Sequence, residues 1–463
     1  MKKAVGAVVA DDRTTSARRS SSPRIAVGTL CAVQFVDVLG TTIVISAAPA
    51  MLADLGAPPS AVSVVVPAYA VFFGALLMLG ARLGDRFGHR RVLQAGLLLF
   101  ATASLAAAAA PGLVVLVAAR CTLGAAAALS VPTALRLLSA VTEEEDARRG
   151  ALAAWSASGA AAGAAGLLLG GVLTDAVGWR SLFWVNLPLA AVLLVTVRRH
   201  VPTPAPRRAG SLDVPGGLLL AVAVAALVLG ASVLERPGRA LTGGAALAVA
   251  LAAAAWFARV ERRATDPLVP AAALRHRALS TGAAASLANT AATSSAVTVA
   301  TVWLQDTQGR SPTAAGLTLL PFSLLVVVGA ASAKAVMRRR TPRTTAGLGL
   351  VVVAAGNALL LGAPSWPWLV PVAVAISGLG LGLSSVAATT EGTAVPEQLQ
   401  GTAAGLLNTA AQLGTAVGVA AVLLLATASE GTGVPLAGPP SGWAASAVIA
   451  LATAWWLLRR RDE

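Results

Sequence analysis

Residues 80–91 read GARLGDRFGHRR, a stretch with five formal charges and a histidine. Residues 55–81, before it, hold no charge, and neither do residues 92–119 after it. About 20 apolar residues suffice for a helix to cross a bilayer, and both flanking runs are that long. The stretch therefore reads as a tight charged hairpin joining two membrane helices. An anchor at a membrane surface needs basic residues only. Asp85 and the flanking Gly84 and Gly88 make this hairpin more patterned than anchoring requires.

The composition supports a membrane setting for the whole chain. Its 463 residues are 56% hydrophobic and only 12% charged, with a mean hydropathy of +0.76. Soluble domains carry about a quarter charged residues. A single soluble core also stops growing near roughly 250–300 residues, so this apolar excess has no water-soluble home. The net charge is +15. In a soluble protein that would point to nucleic acid. Here the charges fall in loops and aromatics are 4%, so no nucleic-acid partner is expected. Cys31 and Cys121 both lie in apolar runs and make no disulfide framework. His89, His200 and His276 all fall in charged loops, which leaves no histidine metal site within a span. Residues 1–24, rich in Ser and Arg, read as a solvated cytoplasmic tail.

Apolar runs bounded by charges or turn signals number fourteen, near 26–50, 61–81, 92–110, 113–138, 150–173, 181–198, 214–234, 240–258, 279–303, 313–333, 344–363, 367–389, 401–428 and 440–458. With both termini cytoplasmic, 30 of the 35 Lys and Arg fall on the cytoplasmic side. Four fall outside (Arg180, Arg236, Arg239 and Arg310), and Arg120 lies inside a span. That asymmetry follows the positive-inside rule. The basic excess thus records orientation in a cytoplasmic membrane, with the lipid bilayer as partner.

The opening stretch resembles the loop signature of the major facilitator superfamily, G-x-L-a-D-R-x-G-R-K. Leu83, Asp85, Arg86, Gly88 and Arg90 match in register, while Ala81 and His89 depart from it. GWRSLFWVNLP (178–188), DPLVPAAALRHRAL (266–279), SPTAAGLTLLP (311–321) and GTAAGLLNTAAQLG (401–414) resemble spans 6, 9, 10 and 13 of its 14-helix drug:proton antiporter branch. The resemblance implies an all-α membrane protein of the major facilitator fold. It would comprise a six-helix bundle over 25–200, two linking helices over 210–260 and a second six-helix bundle over 275–460. The hairpin AKAVMRRRTPRTT (333–345) occupies the place of the signature in the second half, without its Asp.

Two charges lie well inside spans, Asp37 and Arg120. Such residues are costly in lipid, usually face the protein interior and usually act. Gln34, Asp37 and Thr41 share one helical face of span 1. The antiporter branch usually places its span 1 acid where this chain has Gly40. Asp37 stands three residues earlier, about 4.5 Å along the helix. Arg120 stands where the family has its span 4 arginine, whose role there is proton transfer. The resemblance therefore implies proton coupling through Asp37 and Arg120. A fixed Asp37–Arg120 structural pair is the other reading. Gly159, Gly163, Gly166 and Gly170 form one stripe on span 5 that permits close helix contact. It resembles the family's antiporter motif, with Leu167 in place of the motif proline. Tight packing alone explains the stripe equally well. Ser286, Asn289, Thr290 and Thr293 cluster on span 9, and Asn408 and Gln412 on span 13. These neutral polar groups suit either a substrate cavity or hydrogen bonds between helices.

The expected function is proton-driven export of small lipophilic compounds, drugs or antibiotics, by alternating access. A transporter of one defined metabolite is the alternative on the same fold. A membrane enzyme or receptor lacks support, since the spans hold no other catalytic constellation and no segment is long enough for a soluble domain. No Walker loop, cofactor or metal is expected; the drive is a proton gradient and the working unit a monomer. Asp85, Arg86, Gly88 and Arg90 are expected to form a gate, with Asp85 meeting the helix N-terminus near Gly401. Residues 214–258 are expected to lie peripheral to the twelve core helices.

Overall fold

The computed structural model describes residues 23–142, 144–203, 212–234, 238–264, 267–269, 273, 275–428 and 437–459, apart from the side chains of Glu397 and Gln398. The expected tail over residues 1–24 lies outside this range but for its last two residues. The long helices are α1 (Pro23–Asp54), α2 (Val62–Phe87), α3 (His89–Ala108), α4 (Leu113–Ala140), α5 (Glu145–Val177), α6 (Asn186–His200) and α7 (Val214–Leu234). They continue with α8 (Ala240–Arg263), α9 (Arg277–Val302), α10 (Pro312–Met337), α11 (Pro342–Leu359), α12 (Leu369–Gly392), α13 (Glu397–Ala428) and α14 (Pro439–Arg459). A short turn, Ser181–Trp184, precedes α6.

Thirteen of these helices are long and apolar enough to cross a membrane. The fourteenth, α9, is 26 residues long and too rich in Ser and Thr to qualify by hydropathy. Its hydroxyls are satisfied by the helix itself. Thr290, Thr293, Ser295, Thr298 and Thr301 each donate to the carbonyl four residues back. That back-bonding removes the cost of exposing them to an apolar neighbour. The helix also sits deep in the protein, against α12, α13 and α14, where lipid does not reach most of it.

Local chemistry explains the helix starts and turns. Ser311 and Thr341 cap α10 and α11 through the amides of Ala314 and Thr344, each with proline at the first helical position. Gly88, between α2 and α3, has φ +93°. A side chain is strained there, so the signature glycine is what lets the hairpin reverse within one residue. Arg90 then ties the hairpin to α6, donating to the Arg198 carbonyl at 2.5 Å and to Thr203 Oγ1 at 2.7 Å. The charge sits at a helix C-terminus, where the dipole favours it.

The two halves repeat one packing plan. In the first bundle α1 packs on α5, α2 on α4 and α3 on α4; in the second α9 packs on α13, α10 on α12 and α11 on α12. The bundles meet along two seams, α2 against α13 and α5 against α10. The linking helix α7 packs on α2 and α13 from outside, and α8 packs on α7. The chain is thus two six-helix bundles joined by two linking helices.

The α5–α10 seam is not equally closed along its length. One face of the molecule carries Arg82, Arg86, Arg90, Arg198, Arg262 and Arg338, and is called the basic face below. Near the opposite face, α5 and α10 touch closely. A side chain at Gly171 would lie 2.8 Å from Thr313 Cα, and one at Gly316 would strike the Leu167 backbone. There the Asp175 carboxylate accepts the Thr313 amide at 2.9 Å, and Gln305 donates to the Ser46 carbonyl at 2.7 Å. One apolar core joins both bundles on this side, from Met51 and Leu52 to Leu304, Leu319 and Trp443. Toward the basic face the second bundle keeps a separate core around Leu350, Ala388 and Leu457. Ser323, donating to the Gly163 carbonyl at 3.1 Å, makes the last described hydrogen bond of the α5–α10 seam in that direction. Beyond it Leu152, Ala153, Ala154, Ser156 and Ala157 of α5 are exposed. The conformation is closed at the opposite face and parted along the basic half of this seam.

Candidate functional site

Asp37 and Arg120 are both buried inside the first bundle, at 7% and 1% exposure. No ion pair within 4.0 Å joins them, so the fixed structural pair is absent from this conformation. Tyr69 of α2 stands between them. Its hydroxyl donates to Asp37 Oδ1. The Arg120 guanidinium lies over its ring, 5.2 Å from the centroid. Arg120 is held by backbone oxygen alone: it donates to Gly40 at 3.0 Å, Val66 at 3.3 Å and Val65 at 3.4 Å. A guanidinium has five donors in a rigid fork, which suits it to several carbonyls at once. The arrangement keeps a charge and a carboxyl in one buried site, linked by a hydroxyl able to donate or accept.

Close helix approach makes this possible. A side chain at Gly124 of α4 would strike the Tyr69 carbonyl and lie 3.0 Å from the Phe73 nitrogen, so α2 and α4 meet backbone to backbone. Arg120 then reaches the α2 carbonyls one turn away. A cavity of about 20 Å³ lies on the other side of the acid, lined by Asp37, Ser130, Leu97, Phe100 and Leu193. It is large enough for one water. The buried Ser130 Oγ has no hydrogen-bond partner.

The structure divides the polar face expected on α1. Asp37 turns inward to Tyr69, whereas Gln34 and Thr41 are half-buried. Gln34 lies beside Gly159 of α5, where a side chain would come within 3.2 Å of its Nε2. Gly166 and Gly170 take α5 against Thr42, Ile43 and Ser46 of α1. A side chain at Gly163 would meet nothing, and its carbonyl accepts from Ser323. Leu167, at the motif's proline position, is buried with its backbone against Gly316 of α10.

In the second bundle Asn289 and Thr293, expected at a cavity, are each 1% exposed. Asn289 donates to the Leu381 carbonyl at 3.2 Å, and Thr293 to the Asn289 carbonyl at 2.7 Å. In this conformation they fasten α9 to α12 and to itself and line no open space. Helical spacing showed that they share a face but not which neighbour that face meets. Asn408 and Gln412 are half-buried on α13. Gln412 packs against Gly74 of α2, and Thr409 beside it donates to the Gly74 carbonyl at 3.1 Å. These residues belong to a seam between bundles.

Asp85 faces His89 at 3.2 Å and Arg136 at 3.9 Å, both in its own bundle. The side chains of Glu397 and Gln398, at the head of α13 where the expected gate contact falls, lie outside the described residues. Arg86 lies over the Phe87 ring, 5.7 Å from its centroid. On the opposite face the GWR of the span 6 motif pins α1: Trp179 and Arg180 both donate to Asp54, at 3.0 and 2.5 Å.

Sequence reasoning missed Tyr69. The available signal was that it is the only tyrosine in the chain, set inside a long uncharged run.

Comparison with known proteins bears on the whole chain. The Major Facilitator Superfamily profile matches residues 30–419. The puromycin resistance protein of Streptomyces alboniger is 35% identical over 411 residues, covering 87% of this chain and 81% of its own. The cephamycin export protein of Amycolatopsis lactamdurans is 33% identical over 442 residues, covering 91% and 89%. Among solved structures, the POT family transporter PepTSo aligns with a TM-score of 0.69 at 14% identity, over 94% of this chain and 97% of that one. The human organic anion transporter MFSD10 aligns at 0.64 and 16% identity, over 94% and 99%.

Proposed function

Since the chain belongs to the Major Facilitator Superfamily, we propose that it exports small lipophilic compounds of the antibiotic class, driven by a proton gradient. The basic face lies in the cytoplasm of this reading, and the closed face outside. The observation that carries export is the similarity, over most of the chain, to proteins named for antibiotic resistance and export. The described conformation is then the one that loads from the cytoplasm. Transport requires the outer contacts of α5 with α10 to open and the basic half of that seam to close.

The proton site is Asp37, Tyr69 and Arg120. An ionised Asp37 accepts the Tyr69 hydroxyl bond beside the Arg120 charge. Protonation turns Asp37 into a donor and leaves that hydroxyl free to re-pair, which biases α1 against α2 and α4. Asp85, Arg86, Gly88 and Arg90 govern the cytoplasmic gate. Gln34, Thr41, Asn408 and Gln412, half-buried on α1 and α13, are the polar groups this reading offers to substrate. Asn289 and Thr293 join them only if α9 shifts. Of the stripe, the glycines at 159, 166 and 170 let α5 lie close to α1 during the change, while Gly163 offers its carbonyl to α10. The transporter works as a monomer without cofactor or metal.

The test is dissipation of a preset pH gradient in inside-out vesicles on addition of puromycin and other compounds. Wild type is expected to collapse the gradient on addition of a transported compound. Asp37→Asn is expected to bind such a compound and leave the gradient intact. An Asp37→Asn variant that exports uphill with unchanged proton coupling would refute the assignment of the proton to Asp37.

A further inference from the structure

The cavity beside Asp37 lies inside the first bundle, between α1, α3, α4 and α6. Val33 and Val36 flank Asp37 on α1, and Phe100 of α3, Leu193 of α6 and Ser130 of α4 line the space with them. All of its lining residues are buried. Its volume is about 20 Å³. A cavity holds a water when it offers roughly 10–15 Å³ or more and at least two polar partners. Two polar side chains meet at this one, Asp37 and Ser130, at 7% and 5% exposure.

The Ser130 hydroxyl is unlike its neighbour on the same helix. A hydroxyl inside a helix is commonly satisfied by the carbonyl of the preceding turn. Thr133 does this, donating to the Leu129 carbonyl at 2.6 Å. Ser130 Oγ is buried and has no hydrogen-bond partner among the described residues. A side chain at Gly96 of α3 would strike this oxygen, so the glycine leaves room for the hydroxyl between α3 and α4. The acid is served from one side. Among the described side chains only Tyr69 donates to the Asp37 carboxyl, at Oδ1. A carboxylate offers about four lone-pair sites, so it can accept a second donor. The ionisable groups around Asp37 are Tyr69 of α2 and Arg120 of α4, the second lying over the Tyr69 ring. α3 and α6 add only apolar side chains to the cavity. Of the other helices packed on α1, α5, α9 and α10 carry their charges near their ends.

We propose that this cavity holds one water that bridges the Ser130 hydroxyl to the Asp37 carboxyl, and that Ser130 is a positioning residue for the acid. The water donates to an ionised Asp37 and accepts from Ser130. When Asp37 binds a proton, the carboxyl donates to the water and the water donates to the Ser130 oxygen. The Ser130 hydrogen then turns to the carbonyl of the preceding turn. Both forms of the acid thus keep a partner on this side while the Tyr69 bond changes on the other. Two polar side chains are too few for Mg2+ or Ca2+, which take about six or more oxygens. The role of Ser130 rests on the assignment of the transported proton to Asp37; the water site does not.

The site is tested by X-ray radiolysis of the full chain in lipid with heavy-oxygen water, which oxidises side chains beside bound water. Phe100, buried and lining the cavity, is expected to take up the label in wild type. Val36→Ile puts one more carbon into a space for one water, and Ser130→Ala removes one of the two polar partners. Both are expected to lose most of the label at Phe100. An unlabelled Phe100 in wild type overturns the site, and so does equal labelling in Val36→Ile. The role is tested by the pH profile of export in inside-out vesicles, with puromycin or the compound that wild type exports best. Ser130→Ala is expected to shift that profile with the apparent affinity for the compound unchanged. A labelled site with a profile identical to wild type overturns the positioning role. Uphill export by Asp37→Asn with unchanged coupling also overturns the role, and labelling of Phe100 still decides the site. If the variants do not fold, the wild-type label at Phe100 decides it alone.

Discussion

Arg120 is a buried charge that meets carbonyl oxygens and an aromatic face and forms no ion pair with Asp37. The Val65 and Val66 carbonyls lie inside α2, so removing Arg120 leaves them to the helix ladder. A buried charge carries a desolvation penalty of several kcal/mol, which its removal relieves. Arg120→Leu is therefore expected to keep or raise Tm while abolishing proton-coupled export. A large loss of Tm would recast Arg120 as structural. Tyr69→Phe keeps the ring under Arg120 and removes one hydroxyl, leaving Asp37 short of a bond worth about 1.5–3 kcal/mol if charged. The pH profile of export is expected to move, with substrate affinity unchanged. An export profile identical to wild type would remove Tyr69 from the coupling site. Asp37 and Arg120 were legible in the sequence because a charge within an apolar run stands out. Tyr69 was not, since a lone tyrosine in a buried helix is ordinary until its neighbours are known.

At the scale of elements, glycines set how near the helices lie. Gly170 of α5 packs on Ser46 and the Ile43 backbone of α1 with no space for a side chain. Gly170→Val forces α1 and α5 apart, an overpacking cost of typically 1–3 kcal/mol. Lower Tm and lower export are expected together. Gly163→Ala, where a side chain meets nothing, is expected to leave both near wild type. Equal effects at the two positions would show that the stripe acts as a whole and not by local contact. At the charged hairpin, Gly88→Ala places a side chain at φ +93°, strain of about 1–2 kcal/mol, read as a drop in Tm. The spacing of the stripe was visible in the sequence. Which glycines touch a neighbour was not, because helix rotation and tilt follow from packing against the other helices. The same reason explains α9, whose polar residues suited either a cavity or bonds between helices, and of which Asn289 is bonded across to α12 in this conformation.

For the whole molecule, closure of the outer face rests partly on one carboxylate of α5 at the N-terminus of α10. Losing an exposed carboxylate at a helix N-terminus costs about 0.3–1 kcal/mol, which shifts a two-state population by about 2- to 5-fold. Asp175→Ala is expected to populate the outward-open form, seen as increased labelling of a cysteine introduced at Ser46 by an impermeant reagent. Unchanged labelling would move the latch elsewhere, to Gln305 or the apolar core. The sequence by itself determined the membrane setting, the fourteen helices and the tight hairpin at 80–91. Each depends on runs of residue types and on near neighbours along the chain, where burial in lipid and the backbone limits of glycine and proline act. The tertiary structure decided what lies between Asp37 and Arg120, which polar faces are sealed, and which face of the molecule is closed. Those outcomes depend on contacts such as Gly74 with Gln412, or Gly171 with Thr313, between residues far apart in sequence. Only the packed bundles fix the distance and rotation at which such residues meet.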